Sequence, residues 1–343
     1  MTAFVLGSAR CGSTLVSRVI RMHPELLSLS EVFSTAGPHA FPQGRISAAR
    51  FWRGLSRPTR LGAAMGNPAR APDEFLYGAQ SDCRFDPHFC PPILSVALPH
   101  LSDRPDALFH WLGQVALQAP RQDAGAHYRH IFGALAQRMG RRVWVERSGG
   151  SVVAAATLQE LFPQARFVWL TRGGADTVLS MRDYPAARMA VWMWKRLRPL
   201  GLDLLAPDRH YGRAGVWRWL QAAGGVMPKA PILDRRPDLA DVAAFWSHMM
   251  IRGAQAMAAI PPGRILHLSY EALTRDPAAQ LARLGDFLAG SAPEDWLKRS
   301  ATLPRTRPSR ADALPANTRA RLLGACAPGE AAVRDHVRRL AGG

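Results

Sequence analysis

Residues 7–14 read GSARCGST, directly after the apolar run Phe4-Val5-Leu6 and directly before Leu15, Val16, Val19 and Ile20, which recur at helical spacing. A strand that turns through a glycine loop into a helix commits the start of the chain to an α/β layout. Gly7 and Gly12 let backbone approach a ligand closely, and the amides of Ser13, Thr14 and Leu15 at the helix start make the loop an anion site. The spacing fits the phosphate-loop pattern G-x-x-x-x-G-K-[ST], with Thr14 in the hydroxyl position. The lysine is missing: Ser13 stands in its place, and Arg10 is the only basic residue of the loop. Phosphate must therefore be held differently from the way an ATPase holds it.

The rest of the chain repeats the alternation. Leu26–Ser30, Val143–Glu146, Phe167–Thr171 and Arg264–Tyr270 read as further strands, and amphipathic helical spacing lies between them, as in Leu108/Trp111/Leu112/Val115 and Val242/Phe245/Trp246/Met249. Strands alternating with helices predict a doubly wound parallel sheet in a three-layer α/β/α sandwich with a helical insertion, and 343 residues suffice for one such domain over 1–343. Residues 34–105, broken by Pro, Gly and Arg, read as loops and short helices in an irregular insertion over the site. Residues 186–240 carry Trp192, Trp194, Trp217 and Trp219 among many arginines and read as an insertion or lid. Those indoles either stack on a ring or sugar, or bind nucleic acid, or form the insertion's own small core, and a second subunit could bury them in a homodimer. Residues 300–343 read as a C-terminal loop and a basic, proline-broken tail.

Composition matters for partners and compartment. Forty-four Lys+Arg against 26 Asp+Glu give a net charge of +18, nearly all of the excess being arginine. Such a surface attracts anions, but arginine in an Ala/Pro/Gly-rich sequence is also what GC-rich coding produces, so charge alone decides little. No stretch approaches the ~20 apolar residues of a membrane span, and no signal peptide precedes the first strand, so a soluble cytoplasmic protein is expected. Four scattered cysteines exclude a disulfide framework, and Cys83, His88 and Cys90 lack a fourth zinc ligand. Cys11 sits in the anion loop near a helix start, where a thiolate is favoured, yet a small side chain there can simply pack.

In an open parallel sheet the ligand lies beyond the carboxyl ends of the strands. Those ends carry Arg10 after the first strand, Glu31 after the second, Arg147 after the third and Arg172 after the fourth, with Ser180 eight residues beyond Arg172. Each alone is an ordinary surface charge. Together they provide three guanidiniums for an extended anion and one carboxylate able to act as base.

Four stretches, three of them carrying these residues, resemble the sulfotransferases that use 3′-phosphoadenosine 5′-phosphosulfate (PAPS), in particular their bacterial and tyrosylprotein-like branches. GSARCGSTLVSRVIRMHPELLSLSE is similar to the 5′-phosphosulfate loop and helix followed by His-Pro and a catalytic Glu. WVERSGGS is similar to the strand that delivers a basic residue toward the sulfuryl group, RFVWLTRGGADTVLSM to the 3′-phosphate motif, and LSYEALTRDP to the late Tyr-Glu strand end. The chain departs from the pattern in having Gly173-Gly174 for the usual Asp-Pro and Arg147-Ser148-Gly149 for a Lys-x-Pro turn. The glycine-rich, lysine-bearing C-terminal motif of the cytosolic animal enzymes is absent, and SATLPRTRPSR resembles the closing loop of the tyrosylprotein branch instead.

The resemblance implies direct in-line transfer from PAPS to a hydroxyl of a small molecule, carbohydrate or peptide. Glu31 would be general base, with Arg10, Arg147 and Ser300 near the sulfuryl group. Arg10, Cys11, Gly12, Ser13 and Thr14 would line the phosphosulfate loop, and Arg172, Ser180 and Tyr270 the nucleotide. Cys11 has no chemical role in this scheme, and neither a metal nor nucleic acid is required. A sulfuryl donor needs no Mg²⁺ across a β/γ pair, which accounts for the missing lysine. Two rivals remain: a P-loop kinase of a small molecule, which needs a lysine and a metal carboxylate, and a non-catalytic polyanion-binding protein built on residues 186–240.

Overall fold

A computed structural model describes residues 2–79, 83–206, 211, 217 and 228–342. Its centre is a five-stranded sheet of β1 (Thr2–Gly7), β2 (Leu26–Ser30), β3 (Val143–Arg147), β4 (Arg166–Thr171) and β5 (Ile265–Ser269). All four pairings are parallel, and the order is β2-β3-β1-β4-β5. Side chains alternate between two cores. Ala3 and Val5 of β1, Val143 and Val145 of β3 and Val168 and Leu170 of β4 pack with helix α1 (Ser13–Met22), Pro277–Ala289 and Glu294–Ser300. Phe4 and Leu6, Trp144, and Phe167 and Trp169 face the opposite way into the larger core. Helices thus cover both faces, as near-continuous apolar parallel strands demand. The doubly wound α/β sandwich expected from the alternation is the fold observed.

Adjacent strands end in register: Ser30 of β2 pairs with Arg147 of β3, and Thr171 of β4 pairs with Ser269 of β5. Glu31 and Ser148 therefore leave the sheet side by side, as do Arg172 and Tyr270. Between them, β1 ends at Gly7, which pairs with Leu170.

Residues 34–105 contain the short helices Ala48–Ser56, Arg60–Met65, Pro92–Ser95 and Ala97–Leu101. Phe41, Phe51, Leu55, Tyr77, Ile93 and Leu98 from this stretch belong to the larger core, so it builds the domain as well as bordering the site. Of the Trp/Arg-rich stretch, Pro185–Leu197 and Ala230–Asp234 are helical. Trp194 is buried there against Phe245, while Trp192 lies under Arg196. Trp219 lies outside the described residues.

The reading of 300–343 as loop and tail needs correction. Residues 301–309 have no regular structure, but Ala316–Gly342 is a 27-residue helix containing Pro328. It packs along Leu239–Met257, and Gly329 permits the approach, since a Cβ there would lie 2.7 Å from Ser247 Cα. The contact rests on Leu322, Cys326 and Gly329 rather than on a run of large apolar residues, so the sequence shows no strong apolar stripe.

Candidate functional site

The β1–α1 loop turns through two left-handed residues, Arg10 (φ 65°) and Gly12 (φ 94°). At Gly12 a side chain is excluded twice over, because a Cβ would fall 2.4 Å from the Tyr270 ring in addition to the positive φ. Tyr270, opening the helix Tyr270–Arg275 after β5, thus lies directly over the loop. Leu15 N–H, expected to face a ligand, instead donates to Gly12 O at 3.1 Å. Thr14 is exposed. Cys11 is fully buried and fills the space against Gly7; burial pushes its thiol up to about 11, which leaves it no thiolate character at neutral pH.

Arg10 is a junction. Its Nε donates to Ser180 Oγ at 3.1 Å, its Nη1 pairs with Glu74, and its guanidinium lies 5.1 Å from the Tyr184 ring centroid. Arg172 reaches the same loop from β4, with Nη1 3.4 Å from Arg10 O and the guanidinium 4.9 Å from the Tyr270 ring centroid. Ser180, on the helix Gly174–Asp183, therefore touches Arg10, and Arg172 lies beside Tyr270. The loop and the ends of β4 and β5 thus meet through Arg172 and Tyr270.

Arg147 ends β3 on the α1 side of the sheet. Its Nη2 donates to Ser30 Oγ at 2.7 Å, its Nη1 lies 3.4 Å from Ser13 Oγ, and Nη1 also pairs with Glu31 Oε1. Ser30 Oγ continues to Ser17 Oγ (2.8 Å), which meets Ser28 Oγ (3.0 Å), with His100 Nε2 3.3 Å from Ser28. Burial, with the charges of Arg21 and Arg147, holds His100 down to about 4, so this chain is neutral near pH 7 and supports Arg147 by hydrogen bonding alone.

Glu31 also has a positive φ, 57°, and its N–H donates to Arg147 O at 2.7 Å. Its Oε2 accepts from Gly149 N–H at 2.9 Å and from Ser34 Oγ. Arg10, Ser13, Glu31, Arg147, Arg172, Ser180 and Tyr270 are thus brought together around one loop. Ser300 is not joined to them: it ends the helix Glu294–Ser300, fully buried, and its Oγ has no partner among the described residues.

Sequence reasoning did not single out Glu74, Tyr184, Tyr211 or Glu146. Tyr211 hydroxyl donates to Gly149 O at 3.1 Å, so the 186–240 stretch reaches the Glu31 side. Glu74 sits in a stretch without periodicity, where nothing marks one acid from another. Among the described residues no group of three or more His, Cys, Asp or Glu is arranged to hold a metal ion, and no helix is long and apolar enough to cross a membrane.

Residues 3–220 and 229–292 match the Sulfotransfer_3 model of the sulfotransferase family. The chain belongs to the sulfotransferase family. Among solved structures it is similar to the sulfotransferase domain from the curacin biosynthetic pathway, with 17% identity over 87% of this chain and 76% of that one and a TM-score of 0.45. It is also similar to the sulfotransferase domain of the Synechococcus PCC 7002 olefin synthase (18% identity, 96% and 87% coverage, TM-score 0.44). A third is sulfotransferase STF9 from Mycobacterium avium (16% identity, 97% and 76% coverage, TM-score 0.42). No curated protein matches the chain.

Proposed function

We propose that this sulfotransferase moves a sulfuryl group from PAPS to a hydroxyl acceptor by direct in-line displacement, with Glu31 as general base. The observation that carries the reading is the convergence of three guanidiniums and one carboxylate, from four strand ends, on a single glycine loop. The residues fit a donor with phosphates at two ends. Arg172 and Ser180 suit a 3′-phosphate, Tyr270 over Gly12 leaves a flat face beside the nucleotide, and Arg10 and Arg147 bracket the loop where a 5′-phosphosulfate would lie.

As the acceptor oxygen bonds to sulfur, its proton passes to Glu31, and the bridging oxygen leaves with the 5′-phosphate as adenosine 3′,5′-bisphosphate. Arg147 holds Glu31 through Nη1, and its remaining N–H groups with Arg10 stabilise charge growing on the sulfuryl and bridging oxygens. Tyr184 and Tyr211 place aromatic surface near Glu31, on the acceptor side. Burial and the nearby Glu31 charge both push these phenols upward, so they stay neutral donors.

Thermal unfolding with adenosine 3′,5′-bisphosphate, adenosine 5′-phosphate or ATP with Mg²⁺ tests the reading. The bisphosphate at about 100 times its Kd should add about 2.7 kcal/mol, and the other two much less at equal concentration. Equal or greater stabilisation by ATP with Mg²⁺ would select a kinase and reject the proposal.

A further inference from the structure

The helix α2 (Val32–Ala36) follows Glu31 directly, which puts Glu31 at the N-cap. A side-chain oxygen at that position ordinarily accepts from the first amides of the helix, most often one from Ser, Thr, Asp or Asn. Here it does not: Glu31 makes no side-chain cap, and its carboxylate points to Arg147, Gly149 and Ser34. The amides it leaves open go to a different strand's continuation. Phe33 N–H and Ser34 N–H both donate to Ser148 Oγ, at 3.0 and 3.2 Å.

A serine hydroxyl has two lone pairs and one proton. Both lone pairs are spent on the two amides, so the proton needs an acceptor on the far side. Glu146 supplies it: Ser148 Oγ donates to Glu146 Oε1 at 2.6 Å. The same oxygen lies 3.4 Å from Phe33 N. Glu146 is the other-facing neighbour of Arg147 on β3, fully buried, and its Oε2 has no partner among the described residues. An ionised carboxylate would not be left so bare. Burial is the main cause, with the Glu31 charge adding to it, of its being pushed up to about 8, so near pH 7 it puts no second negative charge beside Glu31.

We infer that Ser148 and Glu146 are positioning residues for Glu31: Ser148 caps α2 in its stead, and Glu146 fixes the direction of the Ser148 hydroxyl, which frees the Glu31 carboxylate for the acceptor. The role given to the freed carboxylate rests on the proposed function; the cap itself does not. β3 thereby holds the Glu31 turn from both sides of the sheet, by Arg147 on one and the Ser148–Glu146 pair on the other.

The test follows hydrogen exchange of the Phe33 and Ser34 amides in the full chain, resolved by fragmentation mass spectrometry. It is paired with calorimetric binding of adenosine 3′,5′-bisphosphate and with its release from PAPS in the presence of 2-naphthol as acceptor probe. Ser148→Ala should speed exchange at both amides by about tenfold or more and lower kcat by a similar factor, with bisphosphate affinity within about twofold. Ser148→Thr, which keeps the hydroxyl, should restore both. Glu146→Gln, which keeps Oε1 as acceptor, should hold protection within about threefold, whereas Glu146→Leu should lose it. Unchanged protection in Ser148→Ala or Glu146→Leu, or protection lost in Glu146→Gln as fully as in Glu146→Leu, overturns the inference. If Ser148→Ala does not fold, the two Glu146 variants decide alone. A wild-type chain that neither binds the bisphosphate nor turns over the probe refutes the functional reading, while the exchange data still decide the cap.

Discussion

Glu146→Gln separates burial from bonding at one buried carboxyl. Its folded value is about 8 against an ordinary 4.5, with desolvation the leading cause. For a carboxyl raised in this way the folded state keeps a proton that the unfolded chain releases, so stability falls as pH rises from 4.5 and the loss is complete above about 8. Each pH unit inside that window costs about 1.4 kcal/mol, which makes the penalty about 3 kcal/mol at pH 7 and about 5 kcal/mol at pH 8.5. Glutamine cannot ionise and escapes the penalty. Its cost is an amide NH₂ placed where Oε2 has no partner among the described residues, about 1–3 kcal/mol. The variant should therefore be less stable than wild type by about 1–3 kcal/mol at pH 4.5, cross it near pH 6, and exceed it by about 2–4 kcal/mol at pH 8.5. Urea unfolding followed by circular dichroism at these three pH values measures the difference, and groups that titrate alike in both proteins cancel. A difference that stays constant from pH 5 to 8.5 would show that Glu146 ionises normally in the fold and would refute the reasoning.

Three further outcomes are expected. Glu31→Gln should keep bisphosphate affinity by calorimetry while lowering kcat by about 10²–10⁴, the usual range for losing a general base; normal turnover removes Glu31 from that role. Arg172→Ala should weaken adenosine 3′,5′-bisphosphate by about 10–100-fold and adenosine 5′-phosphate much less, and an equal loss for both would contradict the 3′-phosphate assignment. Gly12→Ala, with its Cβ driven onto the Tyr270 ring at φ 94°, should lower stability by about 1–3 kcal/mol in chemical denaturation and weaken nucleotide binding; a variant as stable as wild type would show that the loop relaxes freely.

β1 and β4 were readable because each is a short apolar run buried on both faces, which leaves little choice of element, whereas β2, β3 and the half-buried edge strand β5 were readable from their place in the alternation of strands with helices. Arg10, Glu31, Arg147 and Arg172 were readable for a related reason: a residue that follows a parallel strand has its position set by the sheet. What the sequence concealed depends on packing between distant elements. Phe41 and Tyr77 enter the core singly beside a proline or a glycine, so no period announces them, while Ala48, Phe51 and Leu55 share one face of a helix of only nine residues among those breaks. The C-terminal helix docks by Cys326 and Gly329, residues whose smallness matters only against a particular neighbour. Glu146 lies inside a strand rather than at its end, and its meaning depends on a serine two residues on meeting the amides of a helix more than a hundred residues earlier.

The pairing of Arg10 with Glu74 changes what nucleotide binding measures. Arg10 already has a counter-anion of its own, as Arg147 has in Glu31. If the proposed donor binds here, a phosphate arriving at Arg10 would replace one oxyanion by another, and the affinity would report a difference between two ion pairs rather than the whole attraction of a guanidinium. Fewer solution counterions are displaced in such an exchange than the number of arginines suggests. Bisphosphate binding should accordingly weaken with added salt less steeply than three unpaired arginines would require, and removing Glu74 should restore the steeper dependence.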